Sequence, residues 1–421
     1  MSTIAFDSKR FLGKAFEAYK NQGCLEKAIS MFEKIPKSGV IAVLYHSNVV
    51  EEGVDGPFDV KNKVPCFDGI TAAALIVEIL NQVAPEAVVH TIPVTHQNKD
   101  RWARTLPAGT TVICADIFLS EPTKDEEVGK GELVLRHWKE SGIDEVFLID
   151  HHPLKMDKFP SMDADNVCLP VGTPLGISGL LIWVLSEIRR DQLEIDLLMK
   201  YLALISLSDM WNIDPAWGSQ PEADPRDVVD AFKHIFKQKE EIHPSTFLEE
   251  LSQITATEVM TLIEEMWKER WETWEAFKAV PKGMMTVEGK ECIVVLPPLN
   301  CQHVMRCAEK VLAGKGLEGY HLIFLNPPKL QPKDGVLRLE VGAQVRYYGD
   351  GTKANCTLVA KAFGGGGHAS ASGFTDYTKF AAAFSGGEIP LLPKEDQVRM
   401  LFPWEVEDVA DEGGLVAGSS V

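Results

Sequence analysis

Between residues 40 and 152 the chain alternates short, wholly apolar runs with stretches of helical period. The runs 40–46 (VIAVLYH), 87–94 (AVVHTIPV), 110–117 (TTVICADI) and 145–152 (EVFLIDHH) are rich in Val and Ile and predict buried strands. The stretches 69–80 (GITAAALIVEIL), 126–140, about 174–188 and 191–207 predict helices. Strand and helix in alternation predict an α/β fold: βαβ units building a parallel sheet covered on both faces. In such sheets functional groups collect at the carboxyl ends of the strands. His46, Asp116, Asp150, His151 and His152 all fall there.

The remaining pattern divides the chain. Residues 1–35 read as an amphipathic helical segment and 36–215 as the parallel-sheet domain. A boundary loop at 215–225 opens a helical linker over 216–282. In it Met260, Ile263, Trp267, Trp271 and Trp274 recur at helical spacing, which fits core or interdomain packing better than ligand stacking. A smaller α/β domain follows over 283–390, with strands expected at about 284–296, 320–326 and 336–347 and helices at about 300–314 and 354–362. Residues 391–421 form an acidic tail with few apolar anchors, expected to be disordered.

Composition narrows the function classes. A chain of 421 residues exceeds what one core usually supports. The net charge of −19 argues against binding long duplex nucleic acid, which needs Lys and Arg for its phosphates, but allows a small anion in a locally positive or metal-lined cleft. The most apolar stretch, 176–185, is too short to span a bilayer, so no membrane partner is expected. The N-terminal residues carry charge where a signal peptide needs an apolar run. Eight cysteines without a dense framework read as reduced thiols and a cytoplasmic location.

The candidate chemistry lies in five places. Asp150-His151-His152 ends an apolar strand, where a carboxylate beside two imidazoles is costly to bury unless something such as a divalent metal pairs with it. Cys66-Phe67-Asp68-Gly69 opens a helix with a small-residue face, Asp116 closes a strand, and Asp209 ends a long apolar helical run. Singly these read as an N-cap, a strand-end turn and a helix terminus; jointly they are three carboxylates and two histidines that one sheet edge could gather. The fifth is GGGGHASASG (364–373). Its consecutive glycines would let backbone amides approach an anion, and it reads either as that or as a flexible linker; no Gly-Lys-Ser/Thr follows, so it is not a Walker loop. Rival groups are weaker: Cys301, His303 and Cys307 have no evident fourth ligand, Asp55 and Asp59 read as solvated, and His96 and Arg101 follow a strand.

The order His46, CFDG, Asp116, Asp150-His151-His152, Asp209 and GGGHASASG resembles the DHH phosphoesterase superfamily with its DHH-associated C-terminal domain, over roughly residues 40–375. The resemblance implies hydrolysis of a phosphoester or phosphoanhydride by metal-activated water, with two divalent ions, typically manganese. By that pattern Asp116 would bridge both ions, Asp68, His151 and Asp209 would complete one site, and His46 with Cys66 the other. Asp150 would orient His151 from behind. His152, His368, Gly365, Gly366, Gly367 and Arg346 would hold the substrate phosphate. Implied substrates are small: a short oligonucleotide, a cyclic dinucleotide, a nucleotide bisphosphate or polyphosphate.

Two features depart from the family pattern. Position 66 is Cys where the family usually has Asp, and a thiolate disfavours manganese relative to zinc or iron, so Mg, Co and Zn also stand as candidate ions. His46 precedes Cys66 by twenty positions instead of a few, and residues 47–64 read as an inserted hairpin or lid. Two hypotheses follow: an active metal-dependent phosphoesterase, or a degenerate member that binds a nucleotide or protein partner with little turnover.

Overall fold

The computed structural model describes residues 8–52, 60–95, 106–117, 128–152, 154–171, 173, 175–189, 196–209, 224–237, 239, 241–277, 282–295, 307, 320–325, 329–333, 336–340, 343–348, 355–367, 371–374 and 380. The acidic tail, His368, most of the boundary loop at 215–225, all of the expected helix at 300–314 except Cys307, and the rival residues Asp55, Asp59, His96, Arg101, Cys301 and His303 lie outside them. The chain divides into two compact units, Met1–Ile263 and Glu264–Val421.

The first unit begins with two helices, α1 (Ser8–Asn21) and α2 (Cys24–Lys34), separated at Gly23, whose φ of 67° is the left-handed conformation that glycine adopts without strain. Then come β1 (Ser38–Glu52), β2 (Val60–Pro65), α3 (Phe67–Val83), β3 (Glu86–Val94), β4 (Thr110–Ala115), α4 (Lys130–Glu140), β5 (Glu145–Ile149) and β6 (Val167–Cys168). Four helices close the series: α5 (Ile177–Arg189), α6 (Asp196–Asp209), α7 (Pro225–Phe236) and α8 (Pro244–Gln253). A ninth, α9 (Ala256–Phe277), carries the chain from the first unit into the second.

β1 pairs in parallel with β3 on one side and β4 on the other; β4 pairs with β5 and β5 with β6, also in parallel. The parallel strands therefore run β3-β1-β4-β5-β6 across the sheet, and the order reverses between β1 and β4. Ligands of open α/β sheets bind outside the carboxyl ends of the strands at such a reversal. Ala42, Leu44, Val112, Cys114 and Leu148 pack with Val134, Leu135 and Trp138 of α4 on one face. The alternate residues Ile41, Val43, Ile113, Phe147 and Ile149 are buried as well, as a sheet covered on both sides requires.

The hairpin expected within 47–64 is present where described. β1 runs on past His46, and its residues Ser47–Glu52 pair antiparallel with β2, with bulges at Ser47/Val49 and Val49/Val50. Part of the segment read as a linker packs on the first unit. Phe67, the first residue of α3, lies with its ring 5.8–6.0 Å from those of Phe232 and Phe236 of α7 and Phe247 of α8.

The second unit holds β7 (Lys282–Val287), β8 (Lys290–Val295), β9 (Tyr320–Leu325), β10 (Lys329–Lys333), β11 (Val336–Glu340), β12 (Ala343–Tyr348), α10 (Cys356–Ala362), β13 (Gly366–Gly367) and β14 (Ala371–Phe374). Its sheet has the order β13-β14-β12-β9-β8-β7, parallel only between β8 and β9. The single strand expected at 284–296 is a hairpin. Glu288 and Gly289 have φ of 48° and 70°, the paired left-handed values of a tight two-residue turn. The run 336–347 likewise divides: β11 pairs with β10, while β12 joins the sheet.

Candidate metal centre

The carboxyl ends of β1 and β4 flank the reversal of strand order, and His46 and Asp116 stand there. His46 is the last residue of β1 to pair in parallel with β3, and its Nδ1 lies 3.6 Å from Asp116 Oδ2. Asp116 follows β4 directly and has φ of 55°, a left-handed conformation that costs a non-glycine residue about 1–2 kcal/mol, Asp less than most. It is 1% exposed, and among the described residues its Oδ1 accepts no hydrogen bond. A buried carboxylate oxygen in that state is out of balance unless a cation serves it.

β2 returns the chain to the same edge. Pro65 pairs with Ser47, so Cys66 arrives beside His46, with its Sγ 3.8 Å from Asp116 Oδ2. The twenty-position gap is closed by the hairpin. Asp68 follows in the first turn of α3 and is held from across the unit. Its Oδ2 accepts the Ile177 N–H at 3.1 Å and its Oδ1 accepts the Ser178 hydroxyl, both at the start of α5. Gly69 brings α3 against β1 so closely that a Cβ there would lie 2.3 Å from the His46 carbonyl oxygen.

β5 supplies the rest. His151 Nδ1 lies 3.6 Å from Asp116 Oδ1, and its Nε2 lies 3.0 Å from Asp209 Oδ2 at the end of α6. Asp150 differs from expectation. Its Oδ1 takes the ring of His152 at 2.7 Å and the His152 backbone N–H at 3.0 Å, while His151 Nδ1 stands 4.0 Å off. Asp150 thus orients His152 first, because an Asp side chain bonds readily to the backbone two residues on.

The electrostatics are those of crowded carboxylates. Burial, then the charges of Asp209 and Asp116, push the Asp68 carboxyl well above its ordinary range. Burial and the charge of Asp116 push the Cys66 thiol up. Burial would discharge His151 and His152, but Asp209 raises the first and Asp150 the second above the usual imidazole value. Burial would also raise Asp150, yet the hydrogen bonds from His152 hold it below the usual carboxylate range.

Two donor sets result, each with its ligand atoms within 4.8 Å of one another: Asp68, Asp116, His151 and Asp209, and His46, Cys66 and Asp116. Asp116 belongs to both. The first is a nitrogen-and-oxygen set suited to a hard or borderline divalent ion; the second includes a thiol and is softer. A third grouping joins Asp116, Asp150, His151 and His152. The six side chains assigned to metal by resemblance are therefore brought together. Sequence reading missed Ser178 and the Ile177 amide; the signal for them was a Ser directly after Gly176-Ile177 at the head of an apolar helix.

Apart from His152, the residues that the resemblance assigns to the substrate phosphate belong to the second unit. Arg346 on β12 pairs with Ala371 of β14, and Gly367 of β13 pairs with Ser372 of the same strand. The Arg346 guanidinium donates to the Val345 and Ser372 carbonyls and to Gln344 Oε1. The glycines divide by cause. Gly364 has φ of 75°, and a Cβ on Gly365 would lie 2.1 Å from the Gly373 carbonyl oxygen, so backbone and packing demand both. Gly366 has open space around its Cβ position, so packing does not demand a glycine there.

The site is thus a carboxylate–imidazole cluster at the strand-order reversal of an α/β protein, with donor sets that could hold a divalent cation. No protein-family model and no curated protein matches the sequence. Among solved structures the chain is similar to one described as a member of the s1p family of ribosomal proteins, DHH domain, with 15% identity, 91% of each chain covered and a TM-score of 0.50. It is also similar to an exopolyphosphatase-related protein from Bacteroides fragilis (13% identity, 87% of this chain and 96% of that one, TM-score 0.40) and to a pGpG-specific phosphodiesterase from Vibrio (9%, 82% and 98%, TM-score 0.30). Those two scores are too low to bear on the fold. The chain has the DHH-domain fold, and the resemblance carried by its motifs extends to its architecture.

Proposed function

We propose that the chain is a metal-dependent hydrolase of a small phosphoester or phosphoanhydride. The observation that carries this reading is the pair of donor sets sharing Asp116 at the switch point of the parallel sheet. Divalent ions held by these residues would supply a water of lowered pKa and neutralise phosphoryl charge. Manganese suits the set of Asp68, Asp116, His151 and Asp209, while Cys66 draws the other set toward zinc or iron.

The chain's own groups have separable roles. Asp116 joins the two sets. Asp68 is fixed in direction by the start of α5. His152, with a side chain 29% exposed, is aimed by Asp150 and kept prone to protonation, which suits it to hold and protonate a phosphoryl oxygen. Arg346, Gly366, Gly367 and His368 are our candidates for gripping the substrate phosphate in the second unit. The net charge of −19 favours a short oligonucleotide, cyclic dinucleotide, nucleotide bisphosphate or polyphosphate over long nucleic acid. Among the described residues no helix is long and apolar enough to cross a membrane.

The test is a hydrolysis panel of dinucleotides, nucleotide bisphosphates, polyphosphate and a chromogenic diester with Mn, Mg, Co or Zn. Turnover is expected on at least one substrate, falling to background in Asp68→Ala. Cys66→Asp should raise the Mn-supported rate. No turnover with any metal, together with nucleotide binding that survives Asp68→Ala unchanged, sinks the hydrolase reading and leaves a binding protein.

A further inference from the structure

Helix α1 reaches the metal centre through one hydroxyl. Tyr19 is fully buried, and its hydroxyl lies 3.2 Å from the Gly176 carbonyl oxygen and 3.4 Å from that of Leu175. The next two residues, Ile177 and Ser178, are the pair that grips the Asp68 carboxylate. One short turn therefore receives a hydrogen bond from α1 on one side and donates two to Asp68 on the other. The turn is shaped for both. A Cβ on Gly176 would lie 2.8 Å from Asp68 Oδ2, and one on Gly179 would lie 2.7 Å from the Tyr19 hydroxyl oxygen. Thr173 closes the turn from behind, donating to the Pro170 and Leu175 carbonyls at 2.8 and 3.0 Å. α1 itself is pinned to α5: the Phe16 and Trp183 rings lie 4.6 Å apart, and Trp183 Nε1 donates to the Leu12 carbonyl at 3.2 Å.

We propose that Tyr19 is a positioning residue for Asp68, so that the N-terminal helix is a working part of the metal centre and not only a cover for the sheet. The inference rests on the metal reading above and extends it to a helix that carries no ligand. A metal-binding carboxylate needs its outer hydrogen bonds to fix the direction of its lone pairs, and loss of such a partner typically weakens metal affinity by about 10–100-fold. Tyr19→Phe removes the hydroxyl and nothing else, and the ring keeps its packing.

The experiment is calorimetric titration of the full chain with Mn²⁺, with thermal unfolding in chelator measured alongside. Wild type, Tyr19→Phe, Ser178→Ala, Asp68→Asn and Tyr201→Phe are compared. Tyr201 is the control, since its buried hydroxyl also meets a backbone carbonyl, that of Ile254 at 3.0 Å, but belongs to no contact with Asp68. Ser178→Ala is expected to weaken Mn²⁺ binding by about tenfold or more, and Tyr19→Phe, one hydrogen bond further from the carboxylate, by about threefold or more. Tyr201→Phe should cost stability while leaving the affinity at the wild-type value. Mn²⁺ uptake lost in Asp68→Asn but unchanged in Tyr19→Phe overturns this inference alone. A wild-type chain that takes up no Mn²⁺, or an Asp68→Asn chain that binds as wild type does, overturns the metal reading and the inference with it.

Discussion

Asp116 concentrates the chemistry of the centre in one side chain: it is buried, left-handed in backbone, common to two donor sets, and closely neighboured by Asp68 and Asp209. Carboxylates whose oxygens lie within 4.8 Å repel by about 3 kcal/mol when both are ionised, at an effective dielectric constant of about 20. Asp116→Asn keeps a residue that tolerates the left-handed backbone and removes one charge. It should therefore stabilise the metal-free chain by about 1–2 kcal/mol in urea unfolding while abolishing stabilisation by added Mn²⁺. A variant less stable than wild type in chelator would show that the charges are not in conflict. His321 makes a second residue-scale case. It is 2% exposed, packs at a tilt against the Tyr347 ring, accepts the Asn355 N–H, and burial lowers its pKa to about 4. Its unfolded value near 6.5 is higher, so the unfolded chain binds the extra proton between the two. Its contribution is complete above about pH 6.5 and is lost as pH falls toward 4, by no more than about 3 kcal/mol. Ring NMR should find His321 neutral at pH 5; titration near 6.5 would contradict this.

At the scale of elements, β1 decides the site by changing partners midway. Up to His46 it belongs to the parallel sheet; from Ser47 it belongs to a hairpin whose return strand delivers Cys66 and then α3. The close approach at Gly69 fastens α3 to that switch. Gly69→Ala should destabilise the chain by about 1–3 kcal/mol, because the contact at 2.3 Å is to a backbone oxygen that has no rotamer to escape into. Gly13→Ala, within α1 and with nothing near its Cβ position, should instead stabilise by about 0.5–1 kcal/mol. Urea curves of the two variants separate these signs. The strands β1, β4 and β5 were legible because a strand buried on both faces is written as a continuous apolar run, while β3, exposed over Glu86 and Val88, was read from its Val and Ile content. The hairpin turn at Glu288-Gly289 was passed over although the polar residues 288–291 interrupt the apolar run and Gly289 carries the turn chemistry. The bond from Asp150 to His152 was not foreseen, because it depends on how the chain turns after β5.

For the molecule as a whole, the candidate metal donors among the described residues fall within Met1–Ile263. Mn²⁺ at 100 times its dissociation constant should stabilise that unit by about 2.7 kcal/mol through mass action. In a calorimetric scan, chelator should lower the transition of the first unit and leave that of the second in place. A metal-independent first transition would deny the centre a resident ion. The alternation of strands and helices, and the Asp and His residues at strand ends, were determined by the sequence itself, since burial on one face or two is recorded locally as period and composition. Tertiary structure alone decided that His46 and Cys66 meet at Asp116 across twenty positions, and that the Tyr19 hydroxyl of α1 reaches the turn bonded to Asp68. Both depend on strand register and helix docking, where residues far apart in the chain meet at distances of 3–4 Å that no local periodicity encodes.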